Sequence, residues 1–270
     1  MKRGVIQTFK EHRFLFSELV KRDFKKKYKR TVLGLLWSVL SPLLTLLVMR
    51  LVFTRFFGSS IEHYTIYLFC GNIVFSFFND ASSGGMSSLL SNANIFTKIN
   101  VPKYLFLFSK NISSLINFGL TFLVFLLFCI IDGVPFTAYF FTLIIPILCL
   151  VIFNLGVGLI LSALFVFFRD IQYLWSVFTM LLMYMSAIFY NVSQFGAPVS
   201  YIFYANPIYV YINYFRSVVL EARLPRFEFI ASEPLSILAY HALAIGIALL
   251  VFGIGALIYK KCNHRFLYYV

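Results

Sequence analysis

The chain has 270 residues, 61% of them hydrophobic and 12% charged, with 23 Lys and Arg against 10 Asp and Glu. Soluble domains carry about 25% charged residues, and the long uncharged runs from residue 32 onward identify an all-α polytopic membrane protein. The runs do not alternate, which excludes a β-barrel. Eleven of the 23 cations lie in residues 1–30, directly before the first apolar run. That placement suits anionic lipid at a cytoplasmic flank and excludes a nucleic-acid-binding domain with one basic face.

Residues 9–30 hold no Pro and read as an amphipathic interface helix. Phe16, Val20, Phe24 and Tyr28 recur at four-residue steps, opposite Lys21, Arg22, Lys25, Lys26 and Lys29. The first span begins near Val32, is uncharged over 32–49, and contains Pro42, which predicts a kink. A second span runs from about Tyr64 to Leu90. Its inner half, DASSGGMSSLLSN, is rich in small residues that favour close helix contact.

Residues 92–110 carry three lysines and form a cytoplasmic turn of the chain. The third span is about 111–131, closed by Asp132, Gly133 and Pro135. The fourth is the long run Phe136 to Phe168, with Pro146 inside and Arg169-Asp170 at its exit. The fifth is Ile171 to Tyr190 and the sixth about Pro234 to Tyr259. With six spans both ends share a side. Eighteen Lys and Arg then fall on the side of the termini and five opposite, so the termini are cytoplasmic.

Residues 191–233 are therefore outside. They hold two apolar pieces around Asn206-Pro207, each about 20–25 Å long as a helix and too short to cross a core of about 30 Å. An extracellular re-entrant helical hairpin satisfies the even number of crossings, its backbone shielded by protein or facing a wet cavity. The whole chain, 1–270, reads as one transmembrane domain: interface helix 1–31, spans one to five over 32–190, gate hairpin 191–233, and span six with its tail over 234–270.

No Gly is followed by Lys, so the chain has no ATP-binding P-loop. Cys70, Cys129, Cys149 and Cys262 show no metal or redox spacing, and the four histidines no zinc spacing. Of the ten acids only Asp80 is deep enough for an ion-coupling site, with capping or pairing near the inner interface as its other reading. A membrane glycosyltransferase would need Glu221 or Glu228 for base or metal chemistry, but both are interleaved with Arg223 and Arg226. The 53 aromatics are the positive signal. Tyrosines in the fifth span and hairpin suit a sugar, whose C–H face a ring covers while the hydroxyl hydrogen-bonds. The same rings equally serve as helix packing.

The stretch RDFKKKYKRTVLGLLWSVLSPLL (22–44) resembles the permease subunits of type-2 ABC exporters. The likeness is to the branch that exports lipid-linked polysaccharides, teichoic acids and O-antigens. It rests on Arg22-Asp23, Tyr28, Leu33-Gly34, Trp37 and Pro42-Leu43, then on TKINVPKY (97–104), FFRDIQY (167–173), SAIFY (186–190) and NPIYVYINYFR (206–216). Ala187 stands where the family commonly has Pro. The resemblance implies a permease in a bacterial cytoplasmic membrane, a homodimer of six-span subunits above two separate ATPase subunits that bind ATP and Mg, with no cofactor, catalytic residue or metal in this chain. Its substrate would be a polyprenyl-diphosphate-linked glycan, moved outward through a channel between first and fifth spans.

Site residues follow from that reading. Channel and gate candidates in the spans are Trp37, Tyr173, Phe178, Tyr184, Phe189 and Tyr190. In the hairpin they are Tyr204, Asn206, Pro207, Tyr209 and Tyr211. Arg22, Lys25, Tyr28, Lys29 and Arg30 are candidates for the substrate diphosphate, with lipid headgroups as the alternative ligand. Thr97, Lys98, Val101, Pro102, Lys103, Arg169 and Asp170 match the family's ATPase-coupling turns; their cations satisfy the positive-inside rule as well. Partners implied are a second copy, the ATPase, the glycan lipid and membrane lipid, and no nucleic acid. An ion-coupled flippase acting alone and a membrane glycosyltransferase are the rival readings.

Overall fold

The computed structural model describes residues 12–29, 31–57, 61–195, 201–227, 230 and 232–269. It is helical, with no strand among the described residues. Helix α1 (Arg13–Tyr28) is 16 residues long and lacks helix breakers. It lies along α5 (Tyr104–Ile131), against which it buries Leu19 and Asp23. It is thus docked on the bundle and not only an interface helix.

After a short 3-10 turn (Gly34–Leu36), α2 spans Trp37–Phe57 with Pro42 inside. It continues past the uncharged run 32–49, because Arg50 and Arg55 stay exposed and no breaker intervenes. Helix α3 (Tyr64–Ser87) is largely buried, packed by α2, α5 and α6 (Ile144–Phe167). The short α4 (Ala93–Phe96) precedes α5. Helix α5 starts at Tyr104, seven residues ahead of the expected 111, since Pro102 sits just outside its first turn and nothing after it breaks the helix. A 3-10 turn (Ala138–Leu143) leads into α6, so Pro146 falls in the first helical turn, where its missing N–H has no intrahelical partner to lose.

Helix α7 (Ile171–Met185) is short, α8 (Pro207–Val219) is nearly all buried, α9 (Glu233–Cys262) is long, and α10 (Phe266–Tyr269) closes the chain. Helix α9 runs along α6. They cross where Gly156 meets Gly255: a Cβ on Gly156 would come within 2.6 Å of the Phe252 backbone, and one on Gly255 would strike the Gly156 carbonyl. The small-residue face foreseen on the second span is present too, with a Cβ on Gly85 falling 3.0 Å from Cα of Gly158.

Four segments are both long and apolar enough to span a membrane: Gly34–Arg55, Tyr104–Ile131, Ala138–Phe167 and Glu233–Cys262. Helix α3 is long enough but more polar, because one of its faces carries serines, asparagines and an aspartate. Helix α7 is 15 residues, shorter than the expected fifth span, since the backbone leaves the helix after Met185.

Candidate functional site

The break after α7 organises one end of the bundle. Ala187 takes φ 50, a left-handed conformation closed to proline, whose ring holds φ near −65°. The bend is therefore made at the position where the sequence lacks Pro. A chain that leaves a helix here exposes carbonyls that need donors, and side chains supply several of them. The Ser186 hydroxyl donates to the Leu182 carbonyl at 2.6 Å and Asn206 Nδ2 to that of Met185 at 3.2 Å. Arg216 donates to the carbonyls of Ala187 and Ile188, both at 2.9 Å. Tyr64 Oη donates to the Phe189 carbonyl at 2.8 Å and Tyr67 Oη to that of Tyr190 at 2.6 Å. The Arg216 guanidinium also lies over the Tyr67 ring, 3.4 Å from its centroid. One buried cation on α8 thus fastens that helix to α3 and to the end of α7.

Asn206 works twice. Its Oδ1 accepts from the Ile208 N–H at 3.0 Å, capping α8, with Pro207 at the first helical position. The helix it starts is core. Tyr209 and Tyr211 are 6% and 0% exposed, and Tyr211 Oη donates to the Ala244 carbonyl at 3.0 Å. In this arrangement neither ring lines a surface: Tyr211 sits in the main core, and Tyr209 packs with Ala187, Val192, Phe203 and Tyr204. Phe189 is buried as well, stacked on Phe53 at 4.3 Å. Tyr204 is half-buried in an aromatic cluster with Tyr209, Phe227 and Tyr240.

The remaining aromatic candidates are outward. Tyr173, Phe178 and Tyr184 are 66%, 47% and 50% exposed, and Trp37 38%. Only Thr179 is buried along α7, and α2 is nearly as bare. Both helices pack on α3. Tyr190 is half-buried, its hydroxyl donating to the Tyr184 carbonyl at 2.8 Å.

At the opposite end of the bundle, a cleft of about 900 Å³ is lined by Arg22, Lys25, Lys26, Lys29 and Lys110 with Asp23. Buried Asp23 accepts from Arg22 at 2.8 Å, Lys110 at 3.2 Å and Ser109 Oγ at 3.1 Å. Arg22 also donates to Asn92 at 2.7 Å. The Arg-Asp pair therefore anchors α1 to α5 while leaving Lys25, Lys26 and Lys29 around the cleft. Arg30, Glu228 and the side chain of Tyr28 lie outside the described residues.

Thr97, Lys98, Arg169 and Asp170 are exposed at the same end, and Val101 is buried. Lys103 is held in place: its Nζ donates to the Asn263 carbonyl at 3.1 Å and sits 5.8 and 5.7 Å from the rings of Phe96 and Phe266. Burial pushes its ammonium below the usual lysine range.

The sequence profile of the ABC-2 type transporter family matches residues 15–220. The chain belongs to this family. An O-antigen export system permease protein, RfbA, of Klebsiella pneumoniae is 30% identical over 259 residues, covering 94% of this chain and 95% of that relative. RfbA of Myxococcus xanthus is 27% identical over 237 residues, 87% and 89% of the two chains. The capsule polysaccharide export inner-membrane protein CtrC of Neisseria meningitidis is 23% identical over 181 residues, 66% and 68%. This chain is thus a transporter permease subunit and not an enzyme. In the permease Glu221 is ion-paired with Arg223 at 2.7 Å, a solvated surface pair.

Sequence reasoning counted Arg216 only as one of five outer cations and missed its role. The signal available was its place at the end of an apolar helix, ten residues after an Asn-Pro break. Asp23 was legible as a motif, but not as a buried acceptor.

Proposed function

We propose that this permease is the membrane-spanning part of an ATP-driven exporter that carries a lipid-linked polysaccharide, of the O-antigen, capsule or teichoic-acid kind, from the cytoplasm outward. Two copies face each other, and separate ATPase subunits bind ATP and Mg. The names of the relatives support the substrate class. The observation that carries the rest is the pair of bare helices, α2 and α7, each packed on α3. An apolar helix with exposed Tyr173, Ser176 and Tyr184 on its free face suits a partner copy and a polar passenger better than acyl chains.

Helix α3, about 36 Å long at 1.5 Å per residue, is the second of six spans, and α7 with the bend behind it is the fifth. Helix α8, about 20 Å long, returns without crossing and forms the re-entrant outer gate. Both termini are cytoplasmic, and Thr97, Lys98, Arg169 and Asp170 form the docking surface for the ATPase. Cysteine cross-linking in native membranes tests this. Val177→Cys or Tyr173→Cys on one copy should form a covalent dimer, while Leu257→Cys on α9 should not. Absence of any dimer through α2 or α7, with an ATPase subunit missing from the purified material, overturns the reading.

A further inference from the structure

Three helices bring polar stripes to one place. On α3, Ser76, Asn79, Asp80, Ser83 and Ser87 recur at steps of three and four and so share a face. On α5, Lys110, Ser113, Ser114 and Asn117 do the same, and on α2, Ser38, Ser41 and Thr45. The stripes meet in two adjoining cavities of about 420 and about 470 Å³ that share Asn79 and Asp80. The second opens onto the cationic cleft, with Lys26, Ser91 and Lys110 lining both. A single polar trough thus leads from the cationic mouth in among the spans, rising about 16 Å along α3 from Ser87 to Ser76.

The chemistry of this trough is graded. Cations stand at its mouth. Deeper in, hydroxyls and carboxamides surround Asp80, to which Asn117 Nδ2 approaches within 3.5 Å. The hydroxyls of Thr45 and Ser87 donate back to their own helices, to the carbonyls of Ser41 and Ser83. Their oxygens keep lone pairs that accept, while the carboxamides both donate and accept. Such groups at membrane depth face something polar. The carboxylate disfavours an anion beside it, and the mixed donors and acceptors match a ligand whose own groups do both. Trp37, partly exposed, lines the same cavity and offers a ring to a C–H face.

We propose that this trough binds the hydroxyls of a saccharide, with its anionic attachment point in the cationic cleft and its rings against Asn79, Asp80 and Asn117. This site is separate from the aromatic face of α7. It rests on the export reading above for its ligand class.

The test titrates the full chain, in lipid nanodiscs with any subunits that co-purify, against two probes. One is a polyprenyl-diphosphate-linked oligosaccharide isolated from the cells that make this protein; the other is the sugar-free polyprenyl diphosphate. The wild type should bind the sugar-bearing lipid at least tenfold more tightly. Asp80→Ala and Asn117→Leu should each cut that margin at least fivefold and leave the affinity for the sugar-free lipid unchanged. A margin unchanged in both variants overturns the proposal, as does a wild type that binds the two lipids equally. If the wild type binds neither lipid, the export reading falls with it. A second measurement does not depend on deleting the trough's polar groups. In a Cys262→Ser background the three other cysteines are buried. Labelling of Gly84→Cys, which lines the trough and has room for a side chain, by a water-soluble thiol reagent should then slow severalfold with the sugar-bearing probe and not with the sugar-free one. Equal labelling under both conditions also overturns the proposal.

Discussion

Replacing Arg216 by Leu should release α8 from the bend behind α7. Its guanidinium makes two bonds of 2.9 Å, to the carbonyls of Ala187 and Ile188, and lies over the Tyr67 ring. Bonds from a charged donor contribute about 1.5–3 kcal/mol each, and a desolvated cation–ring contact about 2 kcal/mol. Against these stands the desolvation of a buried ion, several kcal/mol. The substitution removes the ion and that cost together, so the net effect is less than the sum of contacts. What remains is two buried carbonyls without donors, about 1–3 kcal/mol apiece. The expected loss is therefore about 3 kcal/mol, enough to lower the melting midpoint by several degrees. Arg216→Lys keeps the charge but serves only one carbonyl, and should not restore the wild-type value. The assay is thermal unfolding in nanodiscs, paired with protease access to the segment around residue 190. A Leu variant that melts with the wild type and stays equally protected refutes the latch.

Asp23→Ala takes the shared carboxylate from Arg22, half-buried Lys110 and buried Ser109, so α1 should loosen at a cost of about 1–3 kcal/mol; limited proteolysis before α2 reports it. Gly156→Leu places a side chain where the Phe252 backbone already lies, and should cost at least about 3 kcal/mol by overpacking, seen as aggregation on size-exclusion chromatography. Tyr173→Ala and Tyr184→Ala remove exposed rings and should leave the melting midpoint within about 0.5 kcal/mol of wild type while changing glycan export in a reconstituted vesicle assay. Asn154, whose two polar side-chain atoms meet no hydrogen-bond partner among the described residues, should gain about 1 kcal/mol on replacement by Leu, measured by the same melt.

The sequence by itself determined the class and where most of the long helices lie. Uncharged runs of span length fix apolar helices because hydrocarbon tolerates no unpaired backbone, and that requirement is local to each segment. The clustered N-terminal cations and the ensemble of short motifs pointed to the transporter family for the same reason: they are readable one stretch at a time. Element ends were legible where a breaker stood at them, as Pro207 does for α8, and shifted where it did not, as at Met185.

What only the tertiary structure decided is which face each side chain shows. Tyr173 and Tyr209 look alike in the sequence, yet one is outward and the other is core. The serines of α3 read as packing residues, yet Gly85 does the packing while Ser76, Asn79 and Ser83 line a trough. Arg216 looked like an outer cation, and its carbonyl partners lie 28 and 29 residues earlier in the chain. Hydrophobic pattern says that a helix must be covered; the neighbours that cover it, and the donors that satisfy a broken backbone, come from distant segments whose meeting no local pattern records.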